Sequence, residues 1–294
     1  MALSERVKAW AGLGAAEEFR GRSIHVTTRD GEGPLLVLLH GFPTSSYDWR
    51  EIFDLTPGRA TLTFDFLGFG LSDKPHDHIY GLAWQADLTE ELVARHGEGR
   101  PVFICAHDMG TSVATELFAR DIAGELGFEV AGALLFNGSM ILELASPTLA
   151  QKMLRSRLGP VAARLSSERF FRAQFASIFS PEHPLTDAEE EDQWSLITHG
   201  GGHRLGHRLV RYMDEREIYA ERWHGAIRDW PGGLDFAWGM LDPVANTAVL
   251  DGLRELRPAA RVTEYPDLGH YPQIEDPKRL TATLETAVGA SRSS

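Results

Sequence analysis

Cysteine is nearly absent from this chain of 294 residues, in which Cys105 is the single cysteine. One thiol cannot form an intramolecular disulfide, and such scarcity is typical of proteins from a reducing compartment. Long apolar runs are absent as well: no stretch of 18 or more residues is apolar, and the first ten residues contain no secretory-signal run. We therefore expect a cytoplasmic protein without a transmembrane helix.

Basic residues are scarce relative to acidic ones. The chain has 29 Lys and Arg against 42 Asp and Glu, which gives a formal net charge of −13. This charge disfavours nucleic acid and anionic membrane surfaces as partners. It is compatible with a small apolar or neutral organic substrate that reacts with water, and the sequence does not specify an oligomeric state.

Short apolar runs alternate with helical patterns along most of the chain. Strands are predicted at residues 35–39, 61–65, 102–106, 131–136, 234–240 and 261–265, and helices at 81–96, 110–123, 247–256 and 277–287. Continuous apolar strands are typical of a sheet that is covered on both faces. The alternation therefore predicts an α/β fold with a mostly parallel, doubly wound sheet.

The middle of the chain lacks this alternation. Residues 139–229 contain no convincing strand, and amphipathic patterns predict helices at 147–158, 167–179, 186–199 and 205–218. An insertion after the fourth predicted strand would cover the carboxyl ends of the strands, where α/β sheets bind ligands. We expect a core formed by residues 1–138 and 230–294, with residues 139–229 as an inserted helical cap.

Asp108 stands where an apolar strand runs into a turn of small residues and then a helix. This is the context of a nucleophile elbow, in which Ser is the usual nucleophile. A carboxylate that attacks an acyl carbonyl would form a high-energy anhydride, whereas attack on an sp3 carbon gives an ester that water can cleave. Asp108 therefore favours an alkyl-transfer chemistry over a role as a plain helix N-cap.

Two further residues at strand ends complete a triad in the chain order Asp108, Asp242, His270. His270 would act as general base on a water, and Asp242 would hold its tautomer and stabilise the imidazolium. In isolation, His270 is equally well a loop histidine. A turn residue before Pro243 is the alternative interpretation of Asp242. The nucleophile, acid, histidine order favours the catalytic interpretation.

An oxyanion hole is expected next to the elbow. The main-chain N–H groups of Phe42 and Met109 can point at one oxygen, and the side chains of Phe42 and Trp49 would add an apolar wall. The spacing of His199, His203 and His207 suggests a metal cluster, but glycines separate the first two and no carboxylate pattern accompanies them. We expect no metal and no organic cofactor.

The motifs resemble those of the α/β-hydrolase superfamily, and within it the epoxide hydrolases and haloalkane dehalogenases. Together they are most similar to the mesoderm-specific transcript family of epoxide-hydrolase-like proteins, and the similarity is weakest across the cap. The matching segments are 40–49 (HGFPTSSYDW), 65–75 (DFLGFGLSDKP), 106–110 (AHDMG), 222–223 (RW), 241–243 (LDP) and 269–277 (GHYPQIEDP).

The departures from these families concern the leaving group. Haloalkane dehalogenases hold the halide with side-chain donors, but Met109 and Phe42 offer none. Fluoroacetate dehalogenases use an Arg near the nucleophile, for which Met109 is no substitute. Epoxide hydrolases use cap tyrosines as acids, so Tyr212, the better candidate, and Tyr219 are expected to bind the substrate. His224 stands where a family tyrosine is expected.

The resemblance and the residues together predict a cofactor-independent hydrolase that opens an epoxide through an ester on Asp108. Dehalogenation of an alkyl halide by the same two steps is the first alternative. A ligand-binding protein with an idle triad is the second alternative. The identity of the substrate is not predicted.

Overall fold

The computed structural model describes residues 2–291, which form an eight-stranded sheet with the strand order β1-β2-β4-β3-β5-β6-β7-β8. β1 and β2 are antiparallel to each other, and β2 is antiparallel to β4. All pairings from β4 to β8 are parallel, which confirms the predicted mostly parallel sheet. The strands are β1 (Ala15–Phe19), β2 (Arg22–Arg29), β3 (Glu32–Leu39), β4 (Arg59–Phe64), β5 (Val102–His107), β6 (Val130–Phe136), β7 (Gly233–Gly239) and β8 (Val262–Tyr265).

The six predicted strands are all present, as β3 to β8. β5 lies inside the sheet and is buried along its whole length, whereas β8 forms one edge and is only partly buried. β1 and β2 were not predicted from the sequence, since β1 is largely exposed and β2 contains arginines at both ends. An antiparallel edge hairpin does not require the continuous apolar run by which a central strand is recognised.

Helices cover both faces of the sheet and fill the segment between β6 and β7. They are α1 (Glu5–Ala11), α2 (Arg50–Leu55), α3 (Leu82–His96), α4 (Met109–Ile122), α5 (Leu149–Arg155), α6 (Gly159–Arg164), α7 (Glu168–Ala176), α8 (Asp187–Thr198), α9 (Gly206–Leu209), α10 (Tyr212–Ile218), α11 (Ala220–Asp229), α12 (Thr247–Leu256), α13 (Pro272–Glu275) and α14 (Pro277–Ser291). None of the helices in residues 2–291 is long and apolar enough to cross a membrane.

The segment from α5 to α11 is helical, and no strand occurs there among the described residues. The single helix predicted at 205–218 is wrong, because the chain forms a 3-10 turn (His199–Leu205) followed by α9 and α10. Gly200 and Gly201 have φ of 57° and 79° in that turn, a conformation that glycine adopts readily. The division into a core and a cap at 139 and 229 stays a prediction.

Polar contacts fasten this helical segment to the rest of the molecule at several places, two of which lie on α8 and α11. Asp192 of α8 accepts a hydrogen bond from the hydroxyl of Tyr47 at 2.6 Å. Glu116 of α4 accepts hydrogen bonds from Arg222 and from the indole of Trp223, both at 2.9 Å. These contacts place α10, which lies between the two fastenings in sequence, against the carboxyl ends of the central strands.

Candidate active site

The turn between β5 and α4 is sharp and centred on Asp108. This residue has φ 44° and ψ −112°, a conformation that non-glycine residues adopt rarely. The packing is tight: a Cβ on Gly110 would lie 2.5 Å from the main-chain oxygen of Leu39, and one on Gly41 would lie 2.7 Å from the Cβ of Asp108. Such strain is typical of functional turns that lift one side chain above a sheet.

The carboxylate of Asp108 is buried, and only one of its two oxygens accepts a hydrogen bond. Its Oδ2 accepts a hydrogen bond from the main-chain N–H of Phe42 at 2.9 Å. Its Oδ1 has no hydrogen-bond partner within residues 2–291. Met109 begins α4, where the first N–H groups have no intrahelical acceptor. One carboxylate oxygen is therefore held, and the other is free to meet a ligand.

His270 and Asp242 are brought together as the sequence predicted. The Nδ1 of His270 lies 2.7 Å from Oδ2 of Asp242, and both side chains are buried. The other carboxylate oxygen of Asp242 accepts main-chain N–H bonds from Val244 and Ala245, and Asn137 donates its amide to Oδ2 at 2.8 Å. Burial opposes the charged imidazole, but Asp242, together with Asp108 and Glu275, outweighs it and raises the pKa of His270.

Asp108 also belongs to the surroundings of His270, because its carboxylate contributes to the raised pKa of that imidazole. His107 contributes to the packing beneath the site. Its Nε2 lies 2.8 Å from the main-chain oxygen of His270, and its ring stacks on Phe136. Burial lowers the pKa of His107 well below its usual value, so this ring is neutral.

Glu275 holds the loop that carries His270, a role that the sequence analysis did not identify. Its Oε2 accepts main-chain N–H bonds from Gly269 at 2.8 Å and from Ser180 at 3.0 Å, and its Oε1 accepts one from Tyr271. The available signal was its place in segment 269–277, which resembles the family motif. The Ser180 bond ties this loop to the helical segment between β6 and β7.

Arg216 of α10 is a second residue that the sequence analysis missed. Its Nη2 donates to the main-chain oxygen of Asp108 at 2.9 Å, and its Nε donates to Oγ of Ser112 at 2.8 Å. The same Nη2 lies 3.9 Å from Oδ1 of Asp108. Its Nη1 is buried and has no partner in the described part of the chain. The guanidinium that Met109 cannot supply next to the nucleophile is thus supplied by α10.

Tyr212, one turn before Arg216, lies at the same place. Its ring contacts that of Phe42 at a centroid distance of 5.7 Å and lies 4.7 Å from the guanidinium carbon of Arg216. Gln151 donates to its hydroxyl at 3.4 Å. Burial, together with the charge of Asp108, raises the pKa of Tyr212, so the phenol keeps its proton near neutral pH.

Tyr219 and His224 do not join this group. Tyr219 is 45% exposed and its ring packs on Trp223. The Nε2 of His224 lies 3.2 Å from the main-chain oxygen of Met140. The structure therefore places the side chains of Tyr219 and His224 in other contacts, and a role of either residue in substrate binding stays a prediction.

Trp49 also lies away from the site. It is fully buried and packs edge-on against Phe136 in the apolar layer that includes α14. The predicted apolar wall is therefore formed by Phe42 without Trp49. The 3-10 turn (Ser46–Trp49) directs the indole into the core below the sheet.

An apolar cavity of about 460 Å³ lies between the sheet and the helices from α5 to α9. Phe42 lines its inner end, and Asp108, Tyr212 and His270 do not line it. Phe42 therefore joins the cavity to the surroundings of the carboxylate, because its ring contacts Tyr212 and its N–H bonds Asp108. Within residues 2–291, no group of three or more His, Cys, Asp or Glu side chains could hold a metal ion.

This combination of a strained elbow, an acid–histidine pair and an inserted helical segment is matched by a known family. Residues 36–283 match the Alpha/beta hydrolase family. The chain belongs to this family. As an α/β hydrolase, it has the predicted fold and is expected to act on a small molecule and water.

Relatives and solved structures support the same assignment. LipZ of Mycobacterium tuberculosis, a hydrolase by name, is 52% identical and covers 94% of this chain and 95% of its own. The mesoderm-specific transcript protein of Mus musculus is 33% identical, with 94% and 85% covered, which confirms the predicted resemblance. A haloalkane dehalogenase variant from Bradyrhizobium elkanii shares the fold at 19% identity, with a TM-score of 0.78 and 95% and 97% covered.

Proposed function

We propose that this α/β hydrolase opens epoxides through a covalent ester on Asp108. The unbonded Oδ1 attacks the less hindered epoxide carbon, the C–O bond breaks, and the ring oxygen leaves as an alkoxide that takes a proton. Water then adds to the ester carbonyl, and cleavage releases a vicinal diol. Each step uses groups of the chain and one water, with no redox change.

The observation that carries the proposal is the position of Tyr212. An alkoxide is about as basic as hydroxide, so its departure needs a proton donor. The phenol of Tyr212 is buried next to Asp108 and Arg216, and its raised pKa keeps it protonated. A phenol at this place supports an oxygen leaving group, because a halide would not need the proton.

His270 and the elbow support the second step. The imidazole that Asp242 orients takes a proton from water as that water attacks the ester carbonyl of Asp108. The negative charge that develops on the carbonyl oxygen is stabilised by the N–H of Phe42, which already bonds Oδ2, and by that of Met109. The free Nη1 of Arg216 offers a further donor to the leaving oxygen.

Dehalogenation remains the second candidate because of one observation. The free Nη1 of Arg216 lies in a buried site and can hold a halide, although Met109 and Phe42 supply no side-chain donor. The two candidates share the ester on Asp108 and differ in the product, which is a diol in one case and an alcohol with a free halide in the other.

The test traps the ester in a variant that cannot hydrolyse it. The variant His270→Gln is incubated with a panel of epoxides and haloalkanes, and the peptide with Asp108 is weighed by mass spectrometry. We expect an adduct equal to the whole epoxide, and its absence in Asp108→Asn. In the wild type, turnover in oxygen-18 water should place the label in the Asp108 carboxylate.

The controls decide between the candidates. His224→Gln, a histidine outside the site, should turn over substrate and accumulate no adduct. An adduct that lacks the halogen of a haloalkane would favour dehalogenation. If no compound gives an adduct or a product while ligands still bind, the protein is a binding protein with an idle triad and the proposal is wrong.

A further inference from the structure

The helices α5 to α7 form a basic segment in an acidic chain. Between Leu149 and Arg172 there are six basic residues and one acidic residue, which gives a net charge of +5. The whole chain carries −13, so the remaining residues carry −18. The basic residues are Lys152, Arg155, Arg157, Arg164, Arg169 and Arg172.

Most of this positive charge is not neutralised by the chain itself. Arg155 pairs with Asp214 and Arg172 with Glu190. The other four basic side chains of the segment are exposed, and the described part of the chain offers them no ion pair. These four charges, on Lys152, Arg157, Arg164 and Arg169, therefore face solvent.

Large apolar side chains are exposed between these charges. Leu158 is 71% exposed and Leu165 is 76% exposed, whereas large apolar side chains are usually at least half covered in a folded protein. We call this surface the α5–α7 rim. It consists of the four free basic residues and of Leu149, Met153, Leu158, Val161, Leu165 and Phe170.

The rim is also the mouth of the apolar cavity. All of its apolar residues except Leu149 line that cavity while they remain exposed to solvent. At the opposite end the cavity reaches Phe42, whose ring contacts Tyr212 beside Asp108. An apolar path therefore runs from the rim to the residues that cover the nucleophile.

We propose that the α5–α7 rim docks on an anionic lipid surface, with the mouth of the cavity facing the hydrocarbon. Basic residues interleaved with Leu and Phe on short helices are the combination that lies in a lipid interface. A second copy of the chain fits this surface poorly, because two rims with four free positive charges each repel each other. The proposal stands independently of the reaction at Asp108.

The net charge of −13 does not prevent this docking. At physiological salt, charges interact over about 8 Å. A lipid surface in contact with the rim therefore meets the local positive charge, and most of the acidic residues are screened from it. The expectation from the whole-chain charge that no membrane is a partner holds for the average surface and not for this one.

The test measures binding of the full chain to vesicles without any substrate. Vesicles of phosphatidylglycerol and phosphatidylcholine are compared with vesicles of phosphatidylcholine alone by flotation. We expect binding to the anionic vesicles that weakens with salt. Arg157→Gln, Arg164→Gln and Arg169→Gln together should weaken it on the order of 100-fold, at about five-fold a charge. Leu158→Ser with Leu165→Ser should weaken it at least about ten-fold.

Matched variants elsewhere on the surface serve as controls. Ile79→Ser removes an apolar side chain that is 88% exposed outside the rim, and Arg228→Gln, Arg254→Gln and Arg261→Gln together remove three basic charges. Both should leave binding unchanged. The proposal is overturned if the wild type does not bind anionic vesicles at low salt, or if the controls lose binding equally. It is also overturned if the wild type is a dimer in solution and the rim variants are monomers, since the rim would then be an interface between copies of the chain.

Discussion

Arg216 donates a hydrogen bond to the main-chain oxygen of Asp108 at 2.9 Å, from a helix that is separated from the elbow by more than ninety residues. The contact fixes the strained turn from above, while Gly41 and Gly110 allow close packing from below. It also carries a positive charge into the buried site. The helical segment thus completes the candidate active site as well as covering it.

Replacement of Arg216 by lysine should impair positioning while it keeps the charge. An ammonium group cannot reach both Ser112 and the main-chain oxygen of Asp108 in the fixed geometry of a guanidinium. We expect kcat to fall about ten-fold or more with a smaller change in KM, and the free energy of unfolding to fall by about 3 kcal/mol. Substrate kinetics and chemical denaturation measure the two effects.

The control for that variant is Arg222→Lys. Arg222 also joins the helical segment to α4, through Glu116, but it does not contact the elbow. It should change kcat by less than about two-fold. If both variants reduce kcat equally, the effect comes from loosening of the helical segment in general and not from Arg216.

Tyr212→Phe should separate the two candidate reactions. Loss of the phenolic proton should slow epoxide opening by about 100-fold or more, since general acids contribute factors of that size. The rate of release of a halide should hardly change. Rapid-quench measurement of ester formation on each substrate class gives both rates, and Tyr219→Phe, which alters an exposed tyrosine, should leave both unchanged. An equal loss on both substrates would contradict a proton-donor role.

The central sheet and the closeness of Asp242 to His270 could be predicted because their signals are local. β3, β5 and β6 contain short apolar runs, and the carboxyl ends of parallel strands meet at one edge. Asp108, Asp242 and His270 all follow such ends. The structure places Asp242 within hydrogen-bond distance of His270, and the charge of Asp108 acts on the same imidazole. The order of the three residues along the chain was therefore enough to place them.

Residues whose role depends on how helices dock could not be predicted. Arg216 lies on a short helix in a segment rich in charged residues, and nothing in its neighbours marks it as the one that points inward. The direction of Trp49 could not be predicted either: its position next to the motif suggested the site, whereas its ring packs against Phe136 in the core. The direction in which such a side chain points depends on long-range packing, which sequence periodicity does not report.

The hydrolysis of the ester should require a pH above the pKa of His270. The base must be neutral, and Asp242 raises this pKa above its ordinary value of 6.5. The rate should therefore rise with pH through a midpoint above 6.5, and Asp242→Asn should move the midpoint to lower pH while it reduces the plateau. The free energy of unfolding should change with pH in the opposite direction to the rate. The His270–Asp242 pair stabilises the fold fully below pH 6.5, and this contribution is lost as pH rises through the pKa of His270 in the folded protein. A midpoint that Asp242→Asn leaves unmoved would exclude His270 as the titrating base.

Asp48, which lies outside the candidate active site, predicts how the stability of the fold depends on pH. Its carboxyl is fully buried, and burial raises its pKa from an ordinary 3.8 to about 7, although hydrogen bonds from Thr44 and Gln193 act in the other direction. A carboxyl with a raised folded pKa binds more protons in the folded than in the unfolded chain between these two values. The protein should therefore lose stability as pH rises from about 4 to about 7, and lose no more above that.

Asp48→Asn should remove this loss, because the amide stays neutral and can still bond Gln193 with its oxygen and Thr44 with its nitrogen. The free energy of unfolding of this variant should rise relative to that of the wild type as pH increases from about 4 to about 7. Each unit by which the pKa is raised corresponds to about 1.4 kcal/mol of this difference. Denaturation at pH 4.5 and pH 8.5 measures the change, and Asp54→Asn, which alters an exposed carboxylate on α2, is the matched control. A difference between wild type and Asp48→Asn that is the same at both pH values would mean that Asp48 does not titrate in this window. In that case the contact of α8 with this buried carboxyl is not pH-dependent.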